Sequence, residues 1–110
     1  MIAVTLLNHL AENLNVGVYF EAPKALTDYV LIDQTGSNRQ NHITTTTFAI
    51  QSYADSLYAA MELNERVHEA MTSLVALNEI ASVDLETDYN FTDTDSKQYR
   101  WQAVYQITHY

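Results

Sequence analysis

His42-Ile-Thr-Thr-Thr-Thr-Phe-Ala-Ile-Gln51, then Ser52-Tyr-Ala-Asp55, then an amphipathic run reaching Leu77: this stretch decides the fold. The four threonines, Ile43, Phe48 and Ile50 are β-branched or aromatic and suit a pleated surface. Ser52 has the chemistry of an N-cap, and Asp55, three residues on, would place a carboxylate at the positive end of a helix dipole. After Ser52 the apolar period changes from two to 3.6. The stretch therefore reads as a strand that turns directly into the main helix, the signature of an α+β domain. Tyr53, Leu57, Ala60, Met61, Val67, Met71 and Leu74 fall on one arc of that helix, which predicts that Leu57 and Met61 are buried against a sheet. Asp55, Glu62, Glu65, Arg66 and Glu69 fall on the other. Asn64 and His68 lie towards the apolar arc. They read either as a satisfied pair at the core edge or in a subunit contact, or as a small polar site under the helix.

Upstream, Ile2 to Leu14 reads as a first helix, with Ala3, Leu6, Leu7, Leu10 and Leu14 on one stripe and Gly17 as its stop. Val16 to Phe20 is a short strand, and Pro23 marks a turn. Tyr29-Val-Leu-Ile32 is a continuous apolar run, the pattern of a strand covered on both faces. Thr35-Gly-Ser-Asn-Arg-Gln-Asn41 is polar apart from its glycine and predicts an exposed, mobile loop. Downstream, Ser82 to Phe91 alternates. Val83, Leu85, Tyr89 and Phe91 are expected on one face, and Asp84, Glu86 and Asp88 on the other. Thr92 to Lys97 is a second polar loop. Tyr99 to Tyr110 is the last strand, with Tyr99, Trp101, Ala103, Tyr105 and Ile107 on one face. The expected architecture is α+β in the order α-β-β-β-α-β-β. A mostly antiparallel sheet of about four to five strands carries the long central helix and the N-terminal helix on one face. Its other face is expected to hold threonines, tyrosines and glutamines, a half-polar surface suited to solvent or another subunit.

Length and charge bound the function. The chain has 110 residues, so one domain spanning 1–110 is expected. No apolar run approaches a membrane span, and the N-terminal residues do not read as a signal peptide. Cysteine is absent, which excludes a disulfide scaffold and a thiolate zinc site. The net charge is −9, from 14 acids against five scattered bases, so tight gripping of nucleic acid is not expected. Ten of the acids lie between Asp55 and Asp95 and predict one strongly negative surface. Asp84, Glu86, Asp88, Asp93 and Asp95 are the sharpest candidates for a Ca²⁺ or Mg²⁺ site. The run past Asp93 does not continue as a calcium loop, since Lys97 stands where an oxygen ligand belongs and no glycine follows. His9, His42, His68 and His109 are not spaced as metal ligands. No catalytic or nucleotide-binding motif is present. The expectation is a protein that is not an enzyme, without catalytic residue, cofactor or metal.

In order, these segments resemble the small tail terminator (tail completion, tail-to-head joining) proteins of long-tailed bacteriophages. The resemblance rests on Pro23, on Tyr29-Val-Leu-Ile32 followed by Gly36, and on Phe48-Ala-Ile-Gln-Ser-Tyr-Ala54 leading to Ala60 and Met71. Tyr99-Arg-Trp-Gln-Ala-Val-Tyr105 completes it. It covers nearly the whole chain as a pattern of elements with few fixed residues. The chain departs from it after Ile32, where a glycine pair is common and a single glycine precedes Ser37-Asn-Arg39. The resemblance implies a structural virion protein of the tail or neck, assembled in the host cytoplasm. It implies a homo-oligomer, usually a hexameric ring, that caps the tail tube and ends its polymerisation. The partners implied are the tail tube protein and the head connector or stopper, with DNA passing through the lumen without tight binding. The two polar loops are then the expected interface, through Thr35, Ser37, Asn38, Arg39, Asp93, Asp95 and Lys97. The alternative from a different class is a small non-enzymatic ligand-binding or dimeric α+β domain.

Overall fold

The computed structural model describes residues 1–110. The element order is α1 (Ile2–Asn13), β1 (Gly17–Tyr19), β2 (Tyr29–Gln40), β3 (Ile43–Ala54), α2 (Leu57–Leu74), β4 (Ile80–Asn90) and β5 (Tyr99–His109). The five strands form one sheet in the order β1-β2-β3-β5-β4. Only β1 and β2 run parallel; every other pair is antiparallel. Both helices cover one face, and a single apolar cluster fills the space beneath them. Leu6 and Leu10 of α1 and Val67, Met71 and Leu74 of α2 meet Val30, Ile32, Phe48, Ile50 and Ile107 of the sheet there. The α1 stripe is as expected, and so is the helix-facing side of β5, where Ala103, Tyr105 and Ile107 are buried.

Four expectations fail, each for a local reason. Ser52 is not the N-cap. The strand continues to Ala54, and Ser56 caps α2 by accepting a hydrogen bond from the Ala59 amide at 3.1 Å. Asp55 therefore precedes the helix and no acid lies in its first turn. Ser52 is instead fully buried with no partner for its hydroxyl. Ser56→Ala should lower stability by about 0.5–2 kcal/mol, whereas Ser52→Ala, which removes an unpartnered buried hydroxyl, should be neutral or stabilising. Urea titrations of the two variants check this.

The second failure concerns the buried arc of α2. It runs through Ala60, Leu63, Asn64, Val67, Ala70, Met71 and Leu74, while Leu57 and Met61 are 36% and 44% exposed. The cause is α1. Its His9 Nε2 lies 2.8 Å from the Ala70 carbonyl oxygen and 2.9 Å from Ser73 Oγ, and Arg66 donates to Asn15 at 2.9 Å. A helix covered on its flank by a second helix buries that flank as well as its underside.

Third, Thr35 to Gln40 is not a loop. It extends β2 alongside β3 as far as Gln40↔Ile43, and the connection is the two residues Asn41 and His42. Both have positive φ, 53° and 67°, as a type I′ hairpin turn requires. Thr35 is the extra residue of a β-bulge between Gln34 and Gly36.

The fourth failure is in β4. A bulge between Leu85 and Thr87 leaves Glu86 unpaired. Beyond it the side-chain alternation inverts, because strand period is two. Asp88 lies opposite Ala103, on the helix face, and Tyr89 lies opposite Gln102, on the open face. The acids of this strand therefore do not form one row.

Candidate functional site

The residues expected at an interface occupy the two ends of the sheet. Thr44↔His109 closes one end of the β3–β5 ladder and Ala54↔Tyr99 the other. Thr35, Ser37, Asn38 and Arg39 lie on the outer half of β2, towards the Asn41–His42 turn. Asp93, Asp95 and Lys97 lie in the β4–β5 turn beyond Tyr99. The molecule measures 44 × 24 × 22 Å, so the two groups make separate surfaces. Arg39 is the one ionic group of the first; its Nε donates to Thr44 Oγ1 at 3.2 Å. In the second, Asp93 Oδ1 accepts from the Asp95 amide at 3.0 Å. Hydrogen bonds from the Ser96 side chain, and then from the Asp95 and Ser96 amides, hold the Asp93 carboxyl below its usual range. Lys97 takes a positive φ of 57° as the turn re-enters β5.

Between these ends the open face of the sheet carries an ordered polar–aromatic layer. Tyr29 and Tyr53 stack with centroids 4.4 Å apart, and Tyr19 meets Tyr29 edge-on. The Arg100 guanidinium sits 4.5 Å from the centre of the Phe91 ring and 5.7 Å from that of Tyr53. It also donates to the Phe91 carbonyl at 2.6 Å and to the Tyr53 hydroxyl at 3.1 Å. Tyr53 donates to Gln51 Oε1, Gln51 donates to Gln102 Oε1, and Gln102 donates to the Tyr89 hydroxyl. Burial, with the nearby Tyr53 phenol second, raises the Tyr29 phenol; Arg100 opposes this. Neither helix covers this face, and its side chains hold one another in place: Tyr29, Tyr53 and Gln102 are buried, Gln51 and Arg100 half-buried, and Tyr89 and Phe91 exposed.

The polar site under α2 is a chain of contacts made possible by the bulge at Glu86. His68 Nε2 lies 3.2 Å from Asp88 Oδ2 and 3.1 Å from Asn64 Nδ2. His68 Nδ1 hydrogen-bonds the Tyr105 hydroxyl, and Trp101 Nε1 donates to Asp88 Oδ1 at 3.0 Å. A carboxylate disfavours a facing lone pair, so Asp88 selects the tautomer with the proton on Nε2, and Nδ1 then accepts from Tyr105; that tautomer calls for the Asn64 amide flipped, with Oδ1 rather than Nδ2 against Nε2–H. The cluster ties α2 to β4 and β5, and with Nδ2 towards His68 it leaves Asn64 Oδ1 buried without a hydrogen-bond partner. Asn64 and His68 were visible in the sequence as polar residues on an apolar arc. Asp88 lies on the helix face rather than with Asp84, and nothing in Leu85-Glu-Thr87 marks the bulge that puts it there.

Tyr105 is 3% exposed, and burial followed by the Asp88 and Glu65 charges raises its phenol pKa. A phenol raised in the folded state contributes stability that is full below the unfolded value, about 10, and is lost as pH rises from there towards the folded value. The urea midpoint should therefore fall between pH 8 and pH 11, and Tyr105→Phe should flatten that fall while costing some stability at pH 8.

No three His, Asp or Glu side chains converge as a metal site, and no helix is long and apolar enough to cross a membrane. A cleft of about 370 Å³ lies where α1 begins, between Thr5, Ser37, Arg39, Thr44, Thr46 and His109. A scan against protein-family models and a search of curated proteins return no match to this chain.

Proposed function

We propose that the chain is a structural virion protein of a long-tailed bacteriophage, a tail terminator. It closes the finished tail tube as an oligomeric ring, most simply a hexamer, ends its polymerisation and offers a surface to the head connector. The observation that carries this reading is the open face. Tyr29, Gln51, Tyr53, Tyr89, Arg100 and Gln102 form a pre-ordered layer on the face away from both helices, in which Gln51, Tyr89 and Arg100 stay accessible while Tyr29, Tyr53 and Gln102 are packed beneath their neighbours. Tyrosine and arginine held in place lose little entropy on contact and are enriched where proteins meet. The element order α-β-β-β-α-β-β is the order the resemblance calls for. A net charge of −9 per copy suits a lumen through which DNA passes without sticking.

Negative-stain images of purified protein mixed with tail tubes test the proposal. The expected result is added density at one end of each tube and an arrest of tube growth. Tubes that grow unaltered, with no terminal density, overturn it. The alternative, a small ligand-binding or dimeric domain, draws on the cleft beside Arg39 and His109. That reading expects a monomer or dimer at every concentration.

A further inference from the structure

The sheet has two unfinished edges, and they differ in charge. β1 covers β2 only at Tyr29, Val30 and Leu31. From Asp33 to Gln40 the outer edge of β2 has no strand beside it, so alternate backbone N–H and C=O groups there are unpaired. The other free edge is β4 along its full length. The stretch Gln34 to Ala54, which includes the outer half of β2, contains no acid and carries Arg39. β4 carries Asp84, Glu86 and Asp88, with Glu79 just before it. Two β4 edges would set carboxylates against carboxylates, which opposes their pairing. From Gln34 to Gln40 the β2 edge meets no such repulsion against β4; Asp33, at the level of Thr87, is the one carboxylate of the free stretch.

Strand directions fit a head-to-tail contact. Through the antiparallel pairs β2–β3, β3–β5 and β5–β4, the two edge strands run in opposite senses. Rotation about an axis along the strands therefore brings β2 of one copy antiparallel to β4 of the next. The ladder also sets their levels. Gly36 pairs with Thr47, Thr47 with Gln106, and Gln106 with Asp84. By the same route Ser37 is level with Val83, and Arg39 with Ile80, beside Glu79. The uncovered part of β2 thus stands at the height of the Ile80–Thr87 part of β4. The bulges around Ala81 and Glu86 bend that strand, which favours a curved sheet over a flat one.

We infer that the outer edge of β2 (Asp33–Gln40) takes the β4 edge of a second copy of this chain by antiparallel strand addition, with Gly36 at the level of the neighbour's Asp84. This deepens the ring reading and rests on it: a heterologous contact closes rings, whereas a β2–β2 contact would stop at a dimer.

Gly36 gives the test. Its φ is not positive, and a Cβ placed there meets nothing within 4 Å, so side chains are tolerated in the monomer. Gly36→Glu sets a carboxylate against Asp84 and should raise the concentration for half-assembly tenfold or more. Gly36→Lys should leave it unchanged or lower it. Sedimentation velocity reads both, and hydrogen exchange on dilute and assembled wild type should show protection gained in both 33–40 and 80–87. Rings that form with neither segment protected overturn the edge contact and leave the ring reading standing. Dimers with only 33–40 protected, weakened by Glu and Lys alike, show β2–β2 pairing and overturn both. A monomer at all concentrations also overturns both.

Discussion

Phe48→Ala should lose about 3–5 kcal/mol in a urea titration, and Leu57→Ala less than about 1 kcal/mol. Phe48 is the largest fully buried side chain, at the centre of β3 and under α2. Its removal forfeits the transfer free energy of the ring and leaves a cavity between sheet and helices. A small domain holds about 5–15 kcal/mol in total, so the variant should be near the limit of folding at 25 °C. Leu57 shares the apolar pattern of α2 but is 36% exposed at the first helical position. A reversed ranking would mean that α2 packs through the arc containing Leu57 and Met61, with α1 elsewhere.

Deleting Glu86 should cost about 2–5 kcal/mol, while Glu86→Ala should cost less than about 0.5 kcal/mol, since it keeps the bulge and loses only an exposed side chain. Without the extra residue one end of β4 must change face. If the Asp88 end turns, Asp88 leaves His68 and Trp101, Tyr89 leaves Gln102, and the Tyr105–His68 pair stands without its carboxylate. If the other end turns, Val83 leaves the core. A deletion as mild as the point substitution would contradict the role given to this bulge. The indole fluorescence of Trp101 offers a local readout beside the unfolding curve, as its N–H bonds Asp88.

These two experiments bear on the parts of the fold that the sequence left hidden. The order of elements was legible because period-two and period-3.6 patterns alternate cleanly along the chain, and α1 declares its stripe through Ala3, Leu6, Leu10 and Leu14. The bulges at Thr35 and Glu86 were not legible. Neither residue has the backbone preference that would mark an insertion, and one silent insertion reverses every side chain beyond it. That is why Asp88 was expected among solvated acids and is found beside His68. The Asn41–His42 turn escaped for a related reason: it lacks the glycine that usually announces a type I′ turn, so its flanking strand read as a loop. The choice between Ser52 and Ser56 as the cap turned on where the strand ended, and ladder pairing on both sides, with Ser52 between Val30 and Trp101, carries it to Ala54. Of the residues expected at an interface, all are polar and all but the half-buried Asp93 are exposed. The sequence did not indicate that they form two surfaces at opposite ends of the sheet.

The central claim is assembly into a ring, and sedimentation velocity on the purified chain across a salt series tests it most directly. Six copies of 12.5 kDa make a particle of about 75 kDa, with a formal charge of six times −9, or −54. Mutual repulsion of that charge opposes closure at low ionic strength, and added salt screens it over a Debye length of about 8–10 Å. The account predicts a species near 75 kDa whose fraction at fixed protein concentration rises from low to moderate NaCl. A chain that sediments as a 12.5 kDa monomer or a simple dimer at every concentration and salt would contradict it.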